Sequence, residues 1–319
     1  MSAVAIVGAG AFGTALAVTL ARTGQEVTLW ARDDAAAADM MRTRRSGPRL
    51  PGFDLPENLA VTADFDTVTA EIQLLAVPMQ ALGSFLSDAR SATAPVLVTC
   101  MKGIDLETGE RPSELLARHR PEAMSAALTG PSFAADLAQG LPTALTLACA
   151  DSATGEELQT RLSTPTLRLY RTTDVSGAEF GGALKNVVAL AAGIAIGAGL
   201  GDSARAALIA RGMAEITRIA TRFGAEPATL SGLAGLGDLV LTATSEKSRN
   251  YRAGLAIGRG APLPDVTTEG IATAAAVARL SAEHAIEAPI SSTVADVTHG
   301  RLAVDAAIEA LLARPLKEE

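Results

Sequence analysis

A chain of 319 residues, 48% apolar and 19% charged, has material for two domains and a sizeable buried core. Its net charge of −8 excludes a nucleic-acid binder that works through a broad basic surface, but leaves room for a local basic pocket around a phosphate. Two cysteines, Cys100 and Cys149, and three scattered histidines, His119, His284 and His299, offer neither a disulfide framework nor a metal-ligand spacing.

The N-terminus, Met1-Ser2-Ala3-Val4, runs straight into an apolar segment with no basic leader, so no secretory signal is expected. The first strands are predicted over residues 4–7 and 27–30, with a helix over 13–23 between them. Further strands follow over 72–77, 96–100, 126–128, 144–148 and 167–170, and a helix over 79–90. Strand and helix in alternation predict βαβ units and a mainly parallel sheet. Past residue 176 the pattern changes to helices alone, over 177–198, 203–223, 249–258, 271–284, 293–298 and 304–312. The predicted class is α/β, with a mainly parallel sheet domain over residues 1–180 and an all-helical domain over 181–319. With no low-complexity linker between them, tight packing and a cleft are expected. Residues 180–201 carry a single charge, Lys185. The stretch is read as a buried core helix rather than a membrane span, and the protein is expected in the cytoplasm. Apolar helices in the second half would permit a homodimer.

Gly8-Ala9-Gly10-Ala11-Phe12-Gly13 follows the first strand and opens the first helix. A G-x-G-x-x-G turn in this context is the phosphate-binding turn of a Rossmann-type dinucleotide domain. Gly8 permits the tight turn, Gly10 lets the backbone approach the pyrophosphate, and Gly13 allows helix and strand to pack closely. The helix N-terminus then presents backbone N–H groups to the anion. An acidic residue at the end of the second strand would bind the ribose 2′-hydroxyl of NAD. Arg32 stands there instead, and a guanidinium pairs with a 2′-phosphate. Asp33 and Asp34 follow directly, and a solvated surface arginine is the competing reading, so the residues favour NADPH and leave NADH open.

Lys185 interrupts an apolar helix, where a lysine seldom sits without a partner. Desolvation would favour loss of its proton. Reduction of a ketone leaves an alkoxide that needs a proton donor and a nearby positive charge, and one lysine supplies both. A snorkelling or structural lysine explains the residue equally well. Asp238 closes the segment Gly235-Leu236-Gly237-Asp238. Beyond it comes Ser248-Arg249-Asn250, in which Arg249 could clamp a phosphate and Asn250 could add an amide donor, although a lone loop arginine is more often surface decoration.

These segments, in order GAGAFGTALA, LWAR, AVP, KGI, TGPSFA, GLPTA, GGALKNVVALAAGI, ALIARGMAEI, GLAGLGDLVLT, SRN and TEGIATA, together resemble the bacterial NAD(P)-dependent glycerol-3-phosphate dehydrogenases. The resemblance runs from about residue 4 to 300. It implies that Lys185 exchanges the proton at the substrate C2 oxygen, with Asp238 placing it. It also implies that Ser248, Arg249 and Asn250 hold the substrate phosphate, that Gly130 and Ser132 line the substrate site, and that Lys102 contacts both substrate and cofactor. Ala11, Phe12, Ala134, Thr267 and Glu269 would join the glycines, Arg32 and Arg249 around the dinucleotide. Met101, the Thr267-Thr268 pair and Ala11 depart from the commoner residues of that family, at the periphery of the cofactor site. The implied reaction is reversible hydride transfer between NAD(P)H and dihydroxyacetone phosphate, giving sn-glycerol 3-phosphate for glycerophospholipids, with no metal. A β-hydroxyacid dehydrogenase and a non-catalytic NADPH-sensing module are the alternatives. SRN and TGPS speak against the first through the resemblance, and Lys185 has no purpose in the second.

Overall fold

The computed structural model describes residues 2–88, 91–264 and 268–313. Its strands are β1 (Ser2–Val7), β2 (Val27–Trp30), β3 (Leu59–Thr62), β4 (Ala70–Leu75), β5 (Val96–Thr99), β6 (Met124–Thr129), β7 (Thr143–Cys149) and β8 (Leu167–Thr172). They form one sheet in the order β3-β2-β1-β4-β5-β6-β7-β8. All neighbours are parallel except β6 and β7, which are antiparallel. The first six strands follow the doubly wound dinucleotide-binding order, whose ligand crevice lies where the winding reverses, between β1 and β4.

The sheet helices are α1 (Ala11–Ala21), α2 (Asp34–Thr43), α3 (Met79–Leu86), α4 (Pro112–His119), α5 (Ala134–Gln139) and α6 (Ser152–Leu162). Val4 and Ile6 of β1 point into one core cluster with Leu16 of α1 and Leu137 of α5. Val7 points into another with Leu82 of α3 and Leu115 of α4. Being covered on both faces makes β1 apolar at nearly every position. Strand β3 was not expected: it is an edge strand of four residues with alternating exposure, too short and too polar in its surroundings to stand out.

The remaining helices are α7 (Val175–Gly197), α8 (Gly201–Arg222), α9 (Pro227–Leu230), α10 (Asp238–Ala243), α11 (Arg249–Gly258), α12 (Glu269–Glu283), α13 (Pro289–Thr298) and α14 (Val304–Leu312). Helix α7 is central. Phe180, Leu184 and Val188 meet Ile216 of α8 and Tyr251 of α11, while Val187, Leu190 and Ile194 meet Ala253 of α11, Ala274 of α12 and Ile290 of α13. This helix is long and apolar enough to cross a membrane, but 89% of its most apolar window is buried inside the protein, which is how a core helix looks.

The chain divides into two compact units, one comprising Met1–Lys102 and Glu110–Glu179, the other Gly103–Gly109 and Phe180–Glu319. The short excursion Gly103–Gly109 belongs with the helices because Ile104 is fully buried in their core, and Asp105 closes its turn by accepting hydrogen bonds from the Glu107 and Thr108 amides.

Candidate active site

In the sheet unit the glycine turn has the form a pyrophosphate requires. Gly8 has φ +116°, and a methyl there would lie 2.7 Å from Ala76 O, so only glycine fits between the turn and the segment after β4. A methyl on Gly13 would collide with Gly8 O, whereas one on Gly10 would meet nothing within 4 Å. Gly10 caps α1 with no side-chain hydrogen bond, and the first turn holds no acidic residue. Ala11 and Phe12 form that turn, half-buried against the sheet core. The backbone N–H groups at this helix end carry a positive dipole with no side-chain cap or acidic neighbour in the first turn, and the residues fit a dinucleotide pyrophosphate.

At the end of β2, Arg32 is exposed. Asp33 accepts a hydrogen bond from Ala36 N at 2.7 Å as the N-cap of α2, and Asp34 is the first residue of that helix. Capping accounts for the acidic pair that follows Arg32 in the sequence.

Past β5 and β6, Lys102 Nζ donates to Gly130 O at 3.0 Å. Gly130 has φ +135°, and a methyl there would press to 3.2 Å on Leu145 Cα. Two hydroxyls of the same loop, Thr129 Oγ1 and Ser132 Oγ, are buried with no hydrogen-bond partner among the described residues. Ala134 opens α5.

In the helical unit, Lys185 is the buried ammonium that its sequence context announced. Its Nζ donates to Asp238 Oδ1 at 2.9 Å and to Thr242 Oγ1 at 2.6 Å. Thr242 Oγ1 in turn donates to Asp238 Oδ1 at 3.3 Å. The lysine and aspartate side chains are 8% and 1% exposed, so each charge meets its partner and this hydroxyl where water would otherwise be. Asp238 and Thr242 sit one turn apart on α10 and so share a face. Thr242 was not singled out from the sequence, although its i+4 spacing from Asp238 was the available signal. The single residue Lys185 is thus fixed by two helices, α7 and α10.

Ser248, Arg249 and Asn250 form the N-terminus of α11. Ser248 Oγ accepts from Tyr251 N at 3.2 Å as the N-cap, and Arg249 is exposed in the first turn. Asn250 is buried and committed on both sides: its Oδ1 accepts from Gly270 N at 2.9 Å, and its Nδ2 donates to Asn186 Oδ1 at 2.8 Å. Asn186, next to Lys185, was also missed. Glu269 is the first residue of α12. Thr267 lies outside the described residues.

A family model described as the N-terminus of NAD-dependent glycerol-3-phosphate dehydrogenase matches residues 3–155, and its C-terminal counterpart matches residues 174–309. A protein of Paracoccus denitrificans named glycerol-3-phosphate dehydrogenase, NAD(P)+, is 59% identical over 99% of both chains. The chain belongs to the NAD-dependent glycerol-3-phosphate dehydrogenase family. A Cereibacter sphaeroides protein of the same name is 57% identical over 99% of this chain and all of its own, 100%. The crystal structure of a glycerol-3-phosphate dehydrogenase from Coxiella burnetii superposes with a TM-score of 0.92 at 36% identity, covering 98% of this chain and 99% of that one. Glu179, at the start of α7, is buried and accepts from Ser113 N at 2.8 Å and from Ser113 Oγ at 2.6 Å. Burial pushes its carboxyl up to about 7, against the Ser113 hydrogen bonds and the nearby Arg111. That carboxyl caps the first turn of α4.

Proposed function

We propose that the chain is an NAD(P)-dependent glycerol-3-phosphate dehydrogenase that interconverts dihydroxyacetone phosphate and sn-glycerol 3-phosphate, in the cytoplasm, as a source of the glycerophospholipid backbone. The observation that carries the reading is the buried ammonium of Lys185, held by Asp238 and Thr242 in a chain related over its full length to enzymes of that name. Reduced nicotinamide, when bound, supplies the hydride that goes to C2 of the substrate. Lys185 gives the proton to the C2 oxygen and neutralises the charge that develops there. Asp238 keeps the ammonium oriented through one donor and Thr242 through another.

Gly8, Gly10, Ala11, Phe12 and Gly13 would cradle the pyrophosphate. Arg32 would take a 2′-phosphate, supported by the capping role that removes Asp33 from competition. Lys102, Ala134, Glu269 and Thr267 complete the proposed cofactor contacts, and Gly130 and Ser132 the substrate contacts. The unpartnered Ser132 hydroxyl supports its share, since a buried polar group without a partner calls for one. For the substrate phosphate, the Arg249 guanidinium and the first amides of α11 are the natural donors. Ser248 and Asn250 shape that turn through their own internal hydrogen bonds.

The test is loss of NADPH absorbance on adding dihydroxyacetone phosphate to the purified protein, with NADH and unphosphorylated dihydroxyacetone in parallel. Turnover should require the phosphate ester. Lys185→Ala should abolish it with cofactor binding intact, and Arg249→Ala should chiefly raise KM for the phosphate ester. Binding of NADPH with no turnover of any ketone would overturn the reading.

A further inference from the structure

Helices α7 and α11 touch backbone to backbone. A methyl on Gly193 would strike Tyr251 O and lie 3.0 Å from Gly254 Cα, and one on Gly197 would lie 2.5 Å from Leu255 O. A methyl on Gly254 would strike Leu190 O and lie 2.9 Å from Gly193 Cα, and one on Gly258 would strike Ile194 O and lie 2.9 Å from Gly197 C. Every atom met is main chain, which cannot rotate aside as a side-chain tip can. The sequence reads G-I-A-I-G on α7 and G-L-A-I-G on α11, the small-xxx-small spacing that allows helix backbones to approach.

These contacts share one register. Asn186 and Asn250, joined by a hydrogen bond, are 64 residues apart. Leu190 with Gly254, and Ile194 with Gly258, repeat the same separation at successive four-residue steps. The two helices therefore run parallel, and sliding one along the other drives a glycine Cα into a neighbouring carbonyl. Lys185 and Arg249 stand one residue before the Asn186–Asn250 pair, so the register sets them level on the two helices.

We infer that Gly193, Gly197, Gly254 and Gly258 are positioning residues that fix the interval between the proton donor Lys185 and the phosphate-binding turn at Arg249. The inference rests on the roles proposed above for those two residues. Lys185 is held on its other side by Asp238 and Thr242 on α10, whereas the turn meets α7 through Asn250 and Asn186, so a wedge between α7 and α11 shifts the turn relative to the lysine. A displacement of about 1 Å can cost about 100-fold in rate.

The experiment compares wild type with Gly254→Ala and Gly258→Ala. Steady-state kinetics use dihydroxyacetone phosphate and unphosphorylated dihydroxyacetone, thermal melts follow folding, and energy transfer from Trp30, the one tryptophan of the chain, to bound NADPH follows cofactor binding. The expected result is a kcat/KM for the phosphate ester lowered about 100-fold, a preference for the ester over dihydroxyacetone reduced by the same factor, and unchanged cofactor binding. A merely structural role would lower the melting temperature and leave the preference intact. Should Gly254→Ala not fold, Gly258→Ala and Gly197→Ala, farther from the turn on the same contact, carry the test. A folded variant that keeps the wild-type preference overturns the inference and leaves the roles of Lys185 and Arg249 standing. A wild type that shows no preference for the ester overturns both.

Discussion

Removing Asp238 should destabilise the helical unit more than removing Asp238 and Lys185 together. The pair is 2.9 Å apart with side chains 8% and 1% exposed, so Asp238→Ala leaves the buried ammonium without its carboxylate, with the Thr242 hydroxyl still beside it. Breaking a buried pair from one side costs about 3–5 kcal/mol, whereas replacing both charges by apolar groups is often close to neutral. At about 2–4 °C per kcal/mol for a domain of this size, the single change should lower the melting temperature by roughly 6–20 °C. Lys185→Met strands the carboxylate and should cost a similar amount. The double variant Lys185→Met with Asp238→Ala should recover most of the loss, which appears as a coupling energy of about 2 kcal/mol or more in the double-mutant cycle. Two units need not unfold together, so amide exchange along α7 and α10 is the better measurement, with melting as a companion. Turnover should stay absent in the double variant although stability returns, separating chemistry from folding. Additive single effects, with no coupling, would refute the idea that the two charges depend on one another.

Arg32→Ala should weaken NADPH by about 10- to 100-fold, the loss of a charge-assisted hydrogen bond worth about 1.5–3 kcal/mol, and leave NADH nearly unaffected; equal effects on both in fluorescence titrations would remove Arg32 from the 2′-phosphate. Glu179 titrates at about 7 in the folded protein because burial raises it from an ordinary 4.5, so the folded state binds this proton more tightly than the unfolded one. Its contribution to stability is full below about 4.5 and declines as pH rises through 7, by about 3 kcal/mol in all. Glu179→Gln should flatten that slope in melting curves taken from pH 4.5 to 8, and parallel curves for the two proteins would disprove the assignment.

The sheet was legible because burial on both faces leaves its strands apolar at almost every position, as in Val4-Ala5-Ile6-Val7. Where that condition fails, so does the reading: β3 buries one side only. Helices α2 and α6 are likewise half-exposed, and their clearest marks are the aspartates Asp33 and Asp151 that cap them. The excursion Gly103–Gly109 into the helical unit depends on where Ile104 is buried, which no local pattern encodes. At the site, Lys185 was visible as a charge in an apolar helix. Its carboxylate lies 53 residues further along, and only the fold joins them. Thr242 was within reach of a spacing argument from Asp238, while the commitment of Asn250 to Asn186 and Gly270 was not.

Glycine shows how much the fold adds to a sequence motif, because the two units use it for opposite ends. In the helices, glycine closes space between backbones. In the phosphate turn, Gly13 also closes space, since a methyl there would collide with Gly8 O, but Gly10 keeps space open, since a methyl there would meet nothing within 4 Å. Gly10 has φ −72° and ψ 176°, a conformation any residue adopts, so Gly10→Ala imposes no strain and should hold or raise the melting temperature by restricting the unfolded chain, a gain of about 0.4–1 kcal/mol. Its methyl projects where the pyrophosphate would lie, so NADPH affinity should fall steeply and the stabilisation that NADPH confers should vanish with it. Gly13→Ala should lower the melting temperature before any cofactor is added. Melts of both variants with and without NADPH decide the matter: a Gly10→Ala protein that is still stabilised by NADPH as wild type is would place the pyrophosphate somewhere other than over this turn.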